Sequence, residues 1–542
     1  MSLTELFRSH VTAHPGAEAL VMVSDTGSSS LTYGELDARA AAVAGQLLRT
    51  CLPGDRVLLL HPSGPEFVAA YLGCLYAGVI AVPAPFPGRR ENRQERRRLT
   101  GMVANAGVSL VLSSRREVGT VAEWLTEEGL DGLRCEASDD PGGPAVHQVF
   151  GAQDDTIAFL QYTSGSTGEP KGVVLTHGNL TSNIAGMAQM LDVPTSRLRV
   201  CSWLPLHHDM GLIGTVLYPL AHGGTAVLLD PSAFLRKPFL WLSTMDRFRA
   251  NVTAAPSFAY AQCTERVTDA QLAALDLSHV ERLGNGAEKI DPAVMKDFLD
   301  RFAPTGLRRT VFGPSYGLAE ATLAVAVKAG HDPDVEHSSV SCGAAPFFDL
   351  RVVDPVTHEV LGSDREGEIW LSGPSVSSGY WQREDDTRTT FGNFTADGDG
   401  PFLRTGDLGV LIEGEVHVNG RIKDVIVVNG QKIFPPDVEH ELRAQHPELT
   451  GVGAVFTVPA AGGRKQLPVV IVHEVLEDAG GLPALAQDVL HTAAKEFSVA
   501  VDSVVFVRPG SIPRTSSNKV NRPEARALHL AGALDPIYGW KP

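Results

Sequence analysis

The chain predicts a parallel, doubly wound α/β fold, and three observations carry that expectation. Arg56-Val57-Leu58-Leu59-Leu60 is an apolar run of buried-strand type. Glu66 to Ala77 has helical apolar spacing, and Val79-Ile80-Ala81-Val82 is a second strand run closed by Pro83. Strand, helix and strand in immediate succession make a βαβ unit, which favours parallel strands joined by right-handed crossovers. The runs Val108 to Leu112, Ala226 to Leu229 and Val252 to Ala255 continue the pattern. A chain of 542 residues supports about three to four domains or subdomains and can bury about three quarters of its unfolded surface.

The next element is the most informative. Ile157 to Tyr162 is an apolar strand run, and Thr163-Ser164-Gly165-Ser166-Thr167-Gly168-Glu169-Pro170-Lys171-Gly172 follows it. Glycines, hydroxyls and one lysine in so short a loop can aim backbone N–H groups and an ammonium at a polyphosphate. The loop is not a Walker A motif, which needs Ser or Thr directly after the lysine; Gly172 stands there. Val173-Val174-Leu175 reads as a second short strand, with a helix starting near His177-Gly178-Asn179. The grip is therefore expected on a loop between two strands. A Ser/Gly surface linker is the alternative, but linkers seldom carry apolar strand runs on both sides.

Trp203-Leu204-Pro205-Leu206-His207-His208-Asp209-Met210-Gly211 follows. Adjacent histidines on a strand face opposite ways and no third ligand lies at metal-site spacing, so a metal centre is not expected here. Asn285-Gly286-Ala287-Glu288 comes after the strand-like Val280 to Leu283. Its small residues let a flat ring approach the backbone, and a plain turn fits as well. In Pro314-Ser315-Tyr316-Gly317-Leu318-Ala319-Glu320 an aromatic ring precedes an acid by four residues. Tyr316 could stack on a base, and Glu320 is either an Mg²⁺ carboxylate or an exposed helix acid.

A domain boundary is expected near Arg421. Glu368-Ile369-Trp370-Leu371 and Glu415-Val416-His417-Val418 read as short strands before it. After it come Asp424 to Val428, then Asn429-Gly430, then Gln431 to Phe434, a hairpin pattern. Pro436-Asp437-Val438-Glu439 then opens a helix. The expected division is residues 1–420, a hinge at 421–423, and a smaller domain over 424–542.

Composition bounds the function. Hydrophobic residues make 43% and charged residues 20% of the chain, ordinary for a globular protein. The net charge of −17 argues against non-specific nucleic-acid binding and against docking on an anionic membrane. Cys51, Cys74, Cys135, Cys201, Cys263 and Cys342 are scattered singly, so neither a zinc site nor a disulfide framework is suggested. The N-terminus lacks a signal-peptide pattern, and the apolar stretch Leu212 to Leu229 is broken by Pro219, His222, Gly223 and Gly224. A cytoplasmic protein without a membrane span is expected. Arg89 to Arg98 holds six arginines and two glutamates and reads as the solvated start of a helix rather than a binding patch.

The decapeptide resembles the phosphate loop of the adenylate-forming superfamily, which includes acyl-CoA synthetases, peptide-synthetase adenylation domains, luciferases and fatty-acyl-AMP ligases. The Trp203–Gly211 stretch, the Gly286-Ala287-Glu288 turn and Tyr316-Gly317-Leu318-Ala319-Glu320 resemble the fatty-acyl-AMP ligase branch in particular. Leu403-Arg404-Thr405-Gly406-Asp407-Leu408-Gly409, Gly420-Arg421-Ile422-Lys423-Asp424 and Ile512-Pro513-Arg514-Thr515-Ser516-Ser517-Asn518-Lys519-Val520 stand in the order of the remaining motifs.

The resemblance spans about residue 5 to residue 528. It implies two doubly wound sheets and a small β-barrel in the large domain, with a small mobile α+β domain behind it. It also implies ATP and Mg²⁺, a hydrophobic carboxylic acid, and a thiol acceptor, either CoA or the phosphopantetheine of a discrete acyl carrier protein.

By the same resemblance, Thr163, Ser164, Gly165, Ser166, Thr167, Gly168 and Lys171 hold the phosphates. Gly286, Ala287, Glu288, Ser315, Tyr316, Gly317, Leu318 and Ala319 line the nucleotide. Asp407 takes the ribose with help from Arg421. Glu320 and Thr167 hold Mg²⁺, His208 sits beside the reacting carboxylate, and His207 falls at a variable, structural position. Lys423 is the hinge and Lys519 the adenylation lysine.

Three departures stand out. Many members have threonine where Ala319 stands, and glycine where Asn518 stands; asparagine tolerates φ > 0 better than other side chains. Only 19 residues lie between Thr322 and Cys342, too few for the insertion that disfavours CoA in the fatty-acyl-AMP ligase branch. Met210, Leu212, Ile213 and Phe258 are candidate acyl-pocket lining or core. A silent relative that only binds an acyl adenylate or a carrier is the reading from another class; the presence of Lys519, Glu320 and Asp407 argues against it.

Overall fold

The structure is a computed structural model. It describes residues 1–87, 93–142, 144–146, 148–164, 170–331, 340–428, 431–459, 467–476, 481–497, 499–515 and 519–541. The chain forms two compact units. One comprises Met1–Thr405 with Gly409–Val418, the other Gly406–Leu408 with Asn419–Pro542.

The first unit holds two large mixed sheets. In the eight-stranded sheet the order is Ala324–Val327, Phe312–Gly317, Arg282–Asn285, Val252–Ala255, Arg199–Ser202, Thr225–Leu229, Glu18–Ser24 and Gly27–Thr32. The inner pairs are parallel and the two outermost pairs antiparallel. In the six-stranded sheet the order is Cys135–Ala137, Leu110–Ser113, Arg56–Leu59, Ile80–Pro83, Ile157–Ser164 and Pro170–Thr176. The expected βαβ unit is there: Arg56–Leu59 and Ile80–Pro83 pair in parallel across the helix Pro65–Ala77.

Strand alternation distributes the core. Val57 and Leu59 face one hydrophobic cluster, whereas Leu58 and Leu60 face another. In the larger sheet Leu20, Val200 and Leu228 join the first cluster, whereas Val21, Cys201 and Val227 face a third. The first cluster thus holds residues of both sheets and of the helices Tyr33–Leu47, Pro65–Ala77 and His177–Leu191. Pro65–Ala77 is buried around its whole circumference from Phe67 onward, as a helix covered on every side must be.

The β-barrel expectation needs correction. Asp349–Val353, Gly367–Ser372, Leu403–Ile412 and Glu415–Arg421 form an open four-stranded sheet, with no closure among the described residues. The outer edge of its last strand is taken by residues 341–343 instead. Ser341 bridges His417, Cys342 N–H donates to Val416 O at 2.8 Å, and Val416 N–H donates to Gly343 O at 2.9 Å.

The second unit carries the hairpin Ile426–Val428 and Gln431–Ile433. Asn429 and Gly430, its expected turn, lie outside the described residues. A four-stranded sheet follows, Gly453–Thr457, Val469–Glu474, Val501–Val507 and Pro536–Trp540, with the helices Pro435–Gln445, Leu482–Phe497 and Arg522–Leu530. Clusters on its two faces again split alternate residues: Ile471 and Phe506 on one, Val470 and Val505 on the other.

Among the described residues no helix is long and apolar enough to cross a membrane. All six cysteines are free thiols, five of them buried. The basic run enters the helix Arg93–Ala106, where Arg96 Nε lies 2.8 Å from Glu128 Oε1; residues 88–92 lie outside the description.

Two helical glycines separate packing from propensity. A Cβ on Gly73 would lie 2.6 Å from Val43 Cγ1 and 3.1 Å from Ala40 O, whereas one on Gly119 would meet nothing within 4 Å. Ala gains up to about 1 kcal/mol over Gly in a helix interior, but overpacking costs about 1–3 kcal/mol, and a β-branched Val43 cannot easily turn away. Gly73→Ala is expected to lower the thermal unfolding midpoint and Gly119→Ala to leave it unchanged or raise it, read by differential scanning fluorimetry.

Candidate active site

In the eight-stranded sheet the chain goes from Arg199–Ser202 to Thr225–Leu229 on one side, then crosses to Val252–Ala255 on the other. That reversal makes a crevice at the carboxyl ends of these strands, where open α/β sheets bind ligands. The segments after four strands open there: Trp203 to Asp209, Pro256 to Phe258, Gly286 to Glu288, and Leu318 to Glu320.

The first of these ends in an unusual helix. His207 and His208 lie in a turn rather than on a strand, followed by the π-helix Met210–Leu217. π-Helical turns are rare and concentrate at functional sites. Asp209 caps this one, Oδ1 accepting from Met210 N–H at 2.7 Å and lying 2.9 Å from His208 Nδ1. The protonated Nδ1 donates to that carboxylate, which fixes the imidazole. The turn is tight: a Cβ on Gly211 would sit 2.2 Å from Pro205 O. His207 is partly buried, and desolvation of its ring, with His208 beside it, pushes its pKa down to about 3. Its carbonyl accepts from Gln161 Nε2 at 2.9 Å, so it is a neutral packing group. No group of three metal-ligand side chains occurs among the described residues.

The candidate lining residues divide. Leu212 and Ile213 are buried in the cluster shared by both sheets, whereas Met210 and Phe258 are partly buried against the cluster on the opposite face. There the Trp203 indole stacks on Phe234 at 4.0 Å between centroids and meets Phe258 edge-on at 5.8 Å.

The two motifs expected to line the nucleotide are neighbours. Arg282–Asn285 and Phe312–Gly317 run parallel, with Asn285 opposite Pro314. Ser315 Oγ donates to Asn285 O at 3.0 Å, and a Cβ on Gly286 would stand 2.5 Å from that hydroxyl oxygen. Only glycine fits there. Ala287 takes φ +69°, an uncommon conformation for a side-chain-bearing residue. Glu288 Oε1 accepts from Phe258 N–H at 3.4 Å. Tyr316, Leu318 and Ala319 are buried, Tyr316 among the core residues on that face.

Glu320 sits half-buried on a short 3₁₀ turn, Ala319–Ala321, rather than on an exposed helix. The turn closes tightly. Leu318 N–H donates to Leu323 O at 3.0 Å, and a Cβ on Gly317 would lie 1.9 Å from that oxygen. Thr322 has φ +76° and ψ −62°, and Leu323 N–H donates to Ala321 O. This is the strained form of the γ-turn, at a β-branched residue. Buried Asn183 clamps it. Its Nδ2 donates to Ala324 O at 2.9 Å and Ala321 O at 3.3 Å, while Oδ1 accepts from Ala324 N–H at 3.1 Å. Thr322 Oγ1 donates to Ser375 O at 2.7 Å.

The strands expected on either side of the phosphate loop are an antiparallel pair, Thr163 opposite Lys171 and Ser164 opposite Pro170. The helix His177–Leu191 follows behind a capping box of Thr176 and Asn179. Gly165, Ser166, Thr167 and Gly168 lie outside the described residues. Lys171 Nζ is 2.5 Å from Asp386 Oδ1 and 5.1 Å from the Tyr380 ring centroid. The Tyr380 hydroxyl donates to Glu320 Oε1 at 2.7 Å. Tyr380 and Asp386 escaped sequence reasoning: each is remote in sequence from the group it touches.

In the second unit Asp407 is buried, and its Oδ1 accepts from Arg421 Nε at 3.1 Å. Lys519 lies on a narrow loop. Thr515 N–H donates to Lys519 O at 2.7 Å, Lys519 N–H donates to Thr515 Oγ1 at 3.1 Å, and Arg514 bridges Val520. Its tip, with Asn518, lies outside the described residues. Buried carboxylates anchor both feet. Glu474 Oε1 accepts from Gly510 N–H and Ile512 N–H at 2.9 and 3.1 Å. Glu439 Oε1 takes Arg522 Nε at 2.8 Å.

A family model described as AMP-binding enzyme matches residues 7–381, and one described as Disco-interacting protein 2-like, AMP domain matches 423–537. The medium-chain-fatty-acid–[acyl-carrier-protein] ligase JamA of Moorena producens is 35% identical over 98% of this chain and 95% of its own length. The 4-hydroxyphenylalkanoate adenylyltransferase of Mycobacterium marinum is 34% identical over 96% of this chain and 90% of its own. The crystal structure of the fatty acyl-adenylate ligase of Legionella pneumophila with acyl adenylate and pyrophosphate superposes with a TM-score of 0.74. It is 30% identical, and the match covers 100% of this chain and 98% of that one. The chain belongs to the AMP-binding, adenylate-forming family of ATP-using ligases.

Proposed function

We propose that the protein activates a hydrophobic carboxylic acid, of the fatty-acid class, to its acyl adenylate. ATP is cleaved to pyrophosphate, and the acyl group then passes to the phosphopantetheine thiol of a separate acyl carrier protein. The observation that carries the reading is the run of contacts from Lys171 through Tyr380 to Glu320. It brings a cation from the phosphate-loop strand together with a carboxylate suited to Mg²⁺. The activities of the relatives, an acyl-carrier-protein ligase and an adenylyltransferase, support it.

The chemical obstacle is the meeting of two anions, so catalysis is positioning and charge neutralisation. A carboxylate oxygen attacks the α-phosphorus, the bond to the pyrophosphate oxygen breaks, and no covalent enzyme intermediate is needed. His208, held by Asp209, orients the acid. Lys171 and the loop N–H groups face the phosphates. The Gly286 and Ser315 edges, with Glu288, Tyr316, Gly317, Leu318 and Ala319, border the base. Asp407, steadied by Arg421, accepts the ribose hydroxyls. Lys519 offsets charge between carboxylate and α-phosphate, and Lys423 is the hinge that exchanges Lys519 for the acceptor-binding face in the second half-reaction.

Mg²⁺ would add positive charge on the triphosphate. Glu320 fits as its protein ligand: one carboxylate oxygen is engaged by Tyr380, leaving the other as a hard oxygen donor. One carboxylate suffices for an ion that arrives on phosphates with waters. Thr167 is the second ligand in this reading. A cytoplasmic location accords with six unpaired cysteines.

One observation favours a second acceptor. The 19 residues between Thr322 and Cys342, of which 332–339 lie outside the description, leave little room for an insertion that blocks CoA. An acyl-CoA synthetase is the alternative.

Two outcomes are expected. Lys519→Ala should lower ATP–pyrophosphate exchange by about 10²–10³-fold, the loss typical of one preorganised electrostatic group, without moving the unfolding midpoint; normal exchange would remove Lys519 from the chemistry. With ATP, Mg²⁺ and a panel of fatty and aromatic acids, mass spectrometry should find acyl-AMP persisting beside CoA and consumed by a phosphopantetheinylated carrier. Conversion to acyl-CoA would establish the alternative.

A further inference from the structure

Tyr380 lies outside every motif that the sequence singles out, yet it touches two groups that the motifs supply. Its hydroxyl donates to Glu320 Oε1 at 2.7 Å, and its ring centroid lies 5.1 Å from Lys171 Nζ. The geometry is held from several sides. The segment around it lies along the strand Pro170–Thr176: Tyr380 bridges Val173, Val174 N–H donates to Gly379 O at 3.0 Å, and Trp381 N–H donates to Gly172 O at 2.7 Å. Ser377 Oγ donates to Val174 O at 2.7 Å, and Ser377 N–H donates to Glu320 O at 2.8 Å. Tyr380 N–H donates to Thr387 Oγ1 at 2.9 Å, and Phe391 packs edge-on against the ring at 5.2 Å.

Lys171 has its own carboxylate partner in Asp386, with Nζ 2.5 Å from Oδ1, so Glu320 is not needed to neutralise it. The Tyr380 ring faces the same ammonium, and its hydroxyl satisfies one Glu320 oxygen while leaving the other open.

We propose that Tyr380 is a positioning residue that holds the Glu320 carboxylate and the Lys171 ammonium apart and in register for the triphosphate of ATP and its magnesium ion. The inference rests on the reading of Glu320 as the magnesium carboxylate.

The test compares Tyr380→Phe, Tyr380→Leu and Glu320→Gln with the parent in two readouts. One is ATP–pyrophosphate exchange against Mg²⁺ and fatty-acid concentration. The other is calorimetric binding of α,β-methylene-ATP, uncleavable at the scissile bond, with and without Mg²⁺. Tyr380→Phe removes one hydrogen bond to a charged group, worth about a tenfold effect. It should raise the half-saturating Mg²⁺ and weaken binding of the magnesium complex by about that factor, leaving the fatty-acid KM and metal-free binding unchanged. Tyr380→Leu should weaken metal-free binding as well, because Lys171 loses its ring. Unfolding midpoints check folding, and the near-isosteric Tyr380→Phe suffices if Tyr380→Leu does not fold.

An unaltered Mg²⁺ response in Tyr380→Phe, alongside a shifted one in Glu320→Gln, overturns the proposal alone. An unaltered response in Glu320→Gln overturns the magnesium reading and this proposal together. A rise in fatty-acid KM equal to the Mg²⁺ effect also overturns it, since a general structural role predicts that pattern.

Discussion

The candidate site depends on a helix with no solvent-facing side and on the helices packed around it. Pro65–Ala77 and its neighbours bury apolar surface against two sheets at once, and one hydrophobic cluster contains side chains of both. Protein interiors are close-packed and yield little to strain. The spacing of the two sheets is therefore set by the helices between them. Lys171 stands on the last strand of one sheet, and Glu320 on a turn at the end of the other. Their approach through a single tyrosine ring is only as constant as that spacing. Gly73, whose missing Cβ admits Val43, is one of the places where the spacing is made.

The site also carries backbone constraint. A Cβ on Gly211 or Gly317 would meet a backbone oxygen within 2.5 Å, and one on Gly286 would meet the Ser315 backbone oxygen at 2.8 Å. Ala287 and Thr322 adopt positive φ although both bear side chains. Such conformations cost about 1–3 kcal/mol each and persist only where the surroundings over-determine them. Around Thr322 the surroundings are known: Asn183, from the helix that follows the phosphate loop, bonds both flanks of the turn. The helix behind one ligand-facing loop thus fixes the turn that carries the other, and the element that positions Lys171 also constrains Glu320.

Much of this was legible in the sequence, for local reasons. Apolar runs of strand length, the helix spacing of Glu66 to Ala77 and the Asn-Gly hairpin signal are properties of adjacent residues, and they yielded the strands, the first βαβ unit and the paired strands of the phosphate loop. Gly286 and Ser315 could be assigned to one site from motif resemblance, and their contact across parallel strands gives the glycine its physical reason. The barrel was carried over from the resemblance and failed, because closure depends on which segment occupies the last strand's edge, and residues 341–343 do so here. Leu212 and Ile213 were read as possible lining; hydrophobicity alone cannot tell a pocket wall from a core when the helix bearing them is π rather than α. The wider turn changes the angular spacing of side chains and so the face each residue takes.

Tyr380 shows the harder limit. Neighbouring Gly379 and Trp381 mark no chemistry, and the residues it serves stand 209 positions away at Lys171 and 60 away at Glu320. Its role comes from strand register. The bridge to Val173 places residue 380 beside the root of the phosphate loop, and a slip of one residue would turn that side chain to the opposite face. The clamp of Glu439 and Glu474 on the Lys519 loop has the same character. In both units the groups that carry charge are announced by local motifs, while the groups that hold them are fixed by pairing between distant strands and helices. A motif search therefore finds the reacting groups of such a protein before it finds what fixes their geometry.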